Sequence, residues 1–124
     1  MLARSATKPR RQNAGRPAEK SCRPFLQWLR GRPCACAGRN AGCSGRMEAA
    51  HVDYAGDKGV GTKVSDRHAI PLSQECHAQQ HRKGWRWFDE HVLGGASRGL
   101  MLAQGYWSAW LRTPMGAAWE ARNG

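Results

Sequence analysis

The sequence predicts an α+β domain: a small ββα unit carrying a cysteine-rich knuckle, followed by C-terminal helices and preceded by a disordered basic arm. Three observations predict it. Two short apolar segments, residues 47–53 and 67–72, read as strands around a loop that holds Gly56, Gly59 and Gly61, enough glycine for irregular backbone. A helical stretch with Ser73 at its N-cap and Gly84 just past its end follows at once. Five cysteines and five histidines in 124 residues are more than a chain this short carries without a chemical reason.

Residues 1–22 read as the arm. They are rich in Arg, Pro, Gly and Ser and almost empty of large apolar groups, so they cannot bury enough surface to offset their ordering entropy. Three readings of the arm stand: a phosphate-tracking tail, an organelle transit peptide, or a leader with no role. Residues 23–93 form the expected principal domain and 94–124 a helical extension. Within the domain, Phe25, Leu26, Trp28 and Leu29 make a short apolar segment that Pro33 stops. The Gly- and Cys-rich stretch 34–46 is neither helix nor strand but a knuckle. Pro71 sits where a strand needs no N–H. The helix after Ser73 sets His77 and His81 four apart, on one face. Leu100, Ala103, Trp107, Trp110 and Leu111 recur at helical spacing, and Thr113 with Pro114 opens a last helix. The tryptophans are expected in the core, with base stacking as the rival use.

The formal charge of +11 points to a polyanionic partner, nucleic acid before membrane. The excess is uneven. Residues 1–33 hold nine basic side chains against Glu19 alone, whereas the remainder holds eleven against eight acids. No run reaches the ~18 consecutive apolar residues of a spanning helix, so a soluble, non-membrane protein of the cytoplasm is expected.

The chemistry concentrates between Cys34 and His81. Cys34, Cys36, Cys43 and Cys76 are soft ligands in two groups some thirty residues apart, the arrangement of a structural zinc site, and a metal would supplement a modest core. Disulfides are the rival, but no secretory signal precedes an odd count of cysteines; a reduced, metal-free set is the third reading. His77 and His81 can converge on one divalent ion, structural or catalytic. Asp53 shares a strand face with His51 by the two-residue period and Glu48 does not. Asp53 reads as a solvated carboxylate, and His68 and His91 read as surface or packing residues.

Taken in order, EAAHV at 48–52, GVGTKVSD at 59–66, PL at 71–72 and CH-x3-H at 76–81 resemble the HNH (ββα-metal, His-Me finger) endonucleases, especially a phage and prophage group that includes the recombination-enhancement nuclease. The resemblance spans roughly residues 26–88. It implies a general base at His51 and an orienting carboxylate at Asp66. It also implies a catalytic divalent ion (Mg2+, Mn2+ or Zn2+) on His77 and His81, and a structural zinc on Cys34, Cys43 and Cys76; Cys36 is the candidate to stand in as a fourth ligand where this chain has Ser73. Lys63, with Lys58 and Arg67, falls where DNA phosphates would be met. Two departures stand out. Ala50 occupies a position that often supplies a metal ligand, and Ser73 one that is commonly cysteine.

The expected function is metal-dependent hydrolysis of DNA phosphodiester bonds in a bacterial or phage-infected cell. Alternatives are a non-catalytic, zinc-stabilised DNA-binding accessory and a thiol-based redox or metal sensor.

Overall fold

A computed structural model describes residues 20–56 and 63–124. Helix α1 (Arg23–Arg30) leads through the cysteine knuckle to strand β1 (Met47–His51). A single 3-10 turn (Asp66–His68) then enters strand β2 (Ala69–Ser73), which runs directly into helix α2 (Gln74–Lys83). Helix α3 (Trp85–Phe88) widens into a π-type turn (Asp89–Leu93), and α4 (Arg98–Leu111) and α5 (Pro114–Asn123) complete the chain.

The two strands pair antiparallel, with Met47 opposite Ser73 and His51 opposite Ala69. The ladder extends at both ends, since Gln74 N–H donates to Arg46 C=O and Val52 N–H to His68 C=O. Alternation from those bonded pairs puts Ala49 and Pro71 at a non-bonded position, so the proline costs the ladder nothing. Its outward carbonyl accepts from Ala35 N–H at 2.8 Å and ties the knuckle to β2.

β2 is buried along its whole length, because both faces of the sheet are covered. On one side Ala50, Ile70 and Leu72 join Cys36, Cys76, Trp85 and Phe88. On the other, Ala49 and Ala69 meet Phe25 and Leu29 of α1 and Trp110 of α4. Full burial of each such large apolar side chain is worth about 1.5–3 kcal/mol. Two tryptophans are core as expected, Trp85 and Trp110, and the other four are half-buried against it; Trp110 is 1 % exposed and packs on Phe25 and Trp119 at ring-centroid distances of 5.6 and 5.9 Å.

Helix α2 begins and ends where its caps dictate. Ser73 Oγ accepts from Cys76 N–H at 3.2 Å, and Gly84, at φ +91°, closes the last turn through a bond to Gln80 C=O. Ser73→Ala should therefore cost about 1 kcal/mol. A lowered denaturant midpoint at unchanged slope is the expected result.

The structure corrects several boundaries. β1 ends at His51, so Asp53 is not on a strand. The segment expected to be strand from residue 67 starts as a 3-10 turn and is extended only from Ala69. Cys22 was expected to belong to the arm; it is 4 % exposed and its N–H donates to Asp66. Nor is 94–124 a mere extension, because α4 supplies Ala103 to one side of the core and Trp110 to the other. Residues 1–19, most of the expected arm, lie outside the described residues, as does Lys58.

Candidate metal centre and histidine cleft

The knuckle folds back on itself through tight turns. Ala37 N–H donates to Cys34 C=O, Arg39 N–H to Cys36 C=O and Cys43 N–H to Asn40 C=O. Ala37 and Gly38 take the left-handed conformation that reverses the chain, at φ +52° and +82°. The first turn of α2 brings Cys76 to meet it. The sulfurs of Cys34, Cys36, Cys43 and Cys76 all lie within 4.8 Å of one another. None of them is in a disulfide. Tetrahedral zinc with thiolates at ~2.3 Å sets its sulfurs ~3.8 Å apart, so this donor set fits that ion.

The surroundings suit thiolates. Ser73 N–H donates to Cys34 Sγ at 3.3 Å, and Asn40 Nδ2 donates to Cys76 Sγ at 3.2 Å and to Gln79 Oε1 at 2.7 Å. Burial raises the Cys34 thiol and pushes Cys76 up to about 12. At Cys36 burial acts the same way but is outweighed by the Gly38 and Asn40 backbone and by the Cys43 and Cys34 thiols, for a net lowering. Four thiols so arranged cannot all ionise without a cation among them. Ser73 occupies no ligand position; its hydroxyl caps α2 and accepts from Cys43 Sγ at 3.2 Å.

On the outer side of α2 lies a cleft of about 930 Å3, lined among others by His51, His77, His81, Tyr54, Trp85 and Arg86. His51, at the end of β1, sets Nε2 2.9 Å from Asp66 Oδ1. Asp66 is 4 % exposed, and its second oxygen accepts from Cys22 N–H at 2.8 Å, which locks the carboxylate in place. An ionised Asp66 fixes the His51 proton on Nε2 and leaves Nδ1 as the basic nitrogen. His77 and His81 face each other one turn apart, with ring centroids 4.8 Å apart. His77 Nδ1 lies 2.8 Å from Glu48 Oε1, so Nε2 is the nitrogen left to bind a ligand.

Glu48 is a site residue that sequence reasoning passed over, although the two-residue strand period rightly sets it on the other face from His51. The same alternation that separates it from His51 turns it toward α2, where it meets His77. The His77 ring, followed by Arg46 beside it, holds its carboxyl below the usual value. Carboxylate partners of metal-binding histidines typically change metal affinity 10–100-fold, so if the histidine pair takes a divalent ion, Glu48→Gln should weaken its binding by about that factor. Isothermal titration with Mn2+ measures it.

A second pair holds the far wall. Asp89 accepts from Tyr54 Oη at 2.6 Å and from Gly99 N–H at 2.8 Å, and Tyr54 Oη accepts from Leu100 N–H at 3.1 Å. Together they cap α4, whose own N-cap residue makes no side-chain bond. Burial first, and Asp89 second, raise the Tyr54 hydroxyl well above its ordinary value. Nothing local in the sequence marks this pair, because its members are 35 residues apart.

Of the residues expected to meet DNA, Arg67 does not line the histidine cleft; it borders a second, smaller one. Lys63 is exposed, and its carbonyl accepts from Lys20 Nζ at 3.1 Å. Arg86, on α3, is the cation at the histidine cleft that sequence reasoning passed over. Asp53 is exposed at that cleft's edge. His91 stacks on Trp87 at 4.6 Å and 11°, a packing role as expected.

Fold and site together define an α+β protein with a two-stranded antiparallel sheet and four cysteines positioned to hold a metal ion. No helix among the described residues is long and apolar enough to cross a membrane. The chain belongs to the family described as protein of unknown function (DUF968), whose profile matches residues 8–100. None of the curated proteins or solved structures compared with it matches.

Proposed function

We propose that this protein is a metal-dependent endonuclease of the HNH (ββα-metal) type that hydrolyses DNA phosphodiester bonds. The observation that carries the reading is the cleft, where a carboxylate-held histidine faces the same space as a histidine pair. A divalent ion held by His77 and His81 would stabilise negative charge on the scissile phosphate and the leaving oxygen. His51 Nδ1 takes a proton from water as its oxygen attacks phosphorus. The bond from phosphorus to the 3′ oxygen breaks, and that oxygen leaves with a proton from solvent, giving 5′-phosphate and 3′-hydroxyl ends. Asp66 keeps the His51 ring in one tautomer and offsets the charge it acquires. Glu48 aims His77. The thiol centre anchors the start of the helix that carries both histidines, since Cys76 precedes His77 directly.

One observation favours a second reading, a zinc-stabilised DNA-binding accessory without catalysis. Ala50 is 0 % exposed and sealed in the core, so β1 offers no ligand from the residue before His51. A screen of supercoiled, single-stranded and branched DNA with Mg2+, Mn2+ and Zn2+ separates the two. Nicking in at least one metal supports the nuclease. Binding with a steep salt slope but no cutting in any of them supports the accessory.

A further inference from the structure

A second cleft, of about 430 Å3, lies among the segment just before α1, the 3-10 turn, α4 and α5. It falls within the usual size range of small-molecule sites, ~300–1,000 Å3. Lys20, Ser65, Arg67, Trp107, Trp119 and Glu120 line it. Ser65 and Arg67 flank Asp66 in sequence, and Asp66 holds His51, which lines the first cleft. A single three-residue step thus joins the two.

The lining has two kinds of chemistry. Trp107 and Trp119 meet edge to face at 5.4 Å and 83°, and both stay half-buried rather than sealed like Trp110. Indole surface left accessible in a cleft suits a flat aromatic ligand. Arg67 is exposed and makes no hydrogen bond or ion pair among the described residues. Its guanidinium suits a phosphate, with the Lys20 charge nearby. Glu120 is the wrong sign for a phosphate but the right acceptor for the amino group of a base. Aromatic faces, a guanidinium and a carboxylate acceptor in a single cleft match a nucleotide.

We propose that this second cleft binds an unpaired nucleotide of a DNA strand whose neighbouring phosphate sits at His51. A base paired and stacked in a duplex cannot enter a cleft lined by indoles; a base in a single strand or at a branch can. The proposal rests on the nucleic-acid reading of the histidine cleft for its substrate, yet its test needs no catalysis.

The full chain carrying His51→Ala, so that nothing is cut, is titrated by fluorescence anisotropy with a labelled single-stranded oligothymidylate and with a blunt duplex of equal length. Trp119→Ala should weaken single-strand binding on the order of tenfold, the usual consequence of losing one stacking ring, and leave duplex binding unchanged. Trp119→Phe, which keeps both packing and a stacking face, should retain most of the affinity. Arg67→Gln, at an exposed site that does not threaten the fold, should weaken single-strand binding several-fold and lower its salt slope by about one. No effect of Arg67→Gln on single-strand binding, or equal losses on both DNAs, overturns the proposal. Wild-type chain that binds single strands through Arg67 but cuts no DNA in any divalent metal overturns the nuclease reading and leaves the subsite standing.

Discussion

If the protein is the proposed nuclease, His51→Ala is expected to reduce metal-dependent plasmid nicking by about 10²–10⁴-fold, the usual range for loss of a general base, while the fold persists. The imidazole is 22 % exposed at a strand end, so its removal opens no large internal cavity. Circular dichroism and the thermal midpoint should stay close to wild type. Asp66→Asn is the companion measurement. It preserves shape, but an amide does not hold the His51 proton on Nε2 as a carboxylate does, so turnover should fall while DNA binding stays. Nicking undiminished in His51→Ala would remove His51 from the chemistry. Fold loss in that variant would make Asp66→Asn the decisive one, since it deletes no atoms from the core.

The second large effect is expected at the thiol centre. Cys76→Ser should lower bound zinc from about one per chain to near none, and the thermal midpoint by roughly 10 °C or more. The physical reason lies in the knuckle's lack of regular secondary structure. Its short turns are held by isolated hydrogen bonds, among them Ala35 N–H on Pro71, Glu75 N–H on Ser44 and Asn40 on Gln79 and Cys76, by burial of Ala35 and Cys36, and by the sulfurs themselves. Metal binding to such a site contributes directly to folding stability, because the unfolded chain has no preformed site. Cys22→Ser is the control. That thiol is buried in the other side of the core, away from the four, and its loss should leave zinc stoichiometry unchanged. Atomic absorption on the two variants settles the ligand set; full zinc retained by Cys76→Ser would exclude that sulfur. Loss of the ion should also reduce any nuclease activity, since Cys76 and His77 share the first turns of α2.

Much of the site was legible because its parts are local. Ser73 and Gly84 delimit α2 from either end, and four-residue spacing alone brings His77 and His81 together. The cysteine spacing C-x-C-x6-C, with a fourth cysteine thirty-three residues on, is irregular, yet all four converge; a knuckle of tight turns tolerates irregular spacing where a helix would not. Glu48 was passed over for the opposite reason. Alternation along a strand states which residues share a face but not what covers each face, and the partner was a helix twenty-nine positions away. Arg67 shows the same limit, since the 3-10 turn aims it at the smaller cleft.

By itself, the sequence determined whatever depends on short-range backbone preference and ligand chemistry. That covers the two strands, the capped helix, the tryptophan-rich C-terminal core, and the soft-ligand and imidazole groups. Only the tertiary structure decided which long-range pairs close the site: Asp66 on His51, Glu48 on His77, Asp89 on Tyr54 and Cys76 on the knuckle. Those pairings come from how two covered sheet faces and five helices pack. Packing minimises exposed apolar surface over the whole chain at once, so no local pattern contains it.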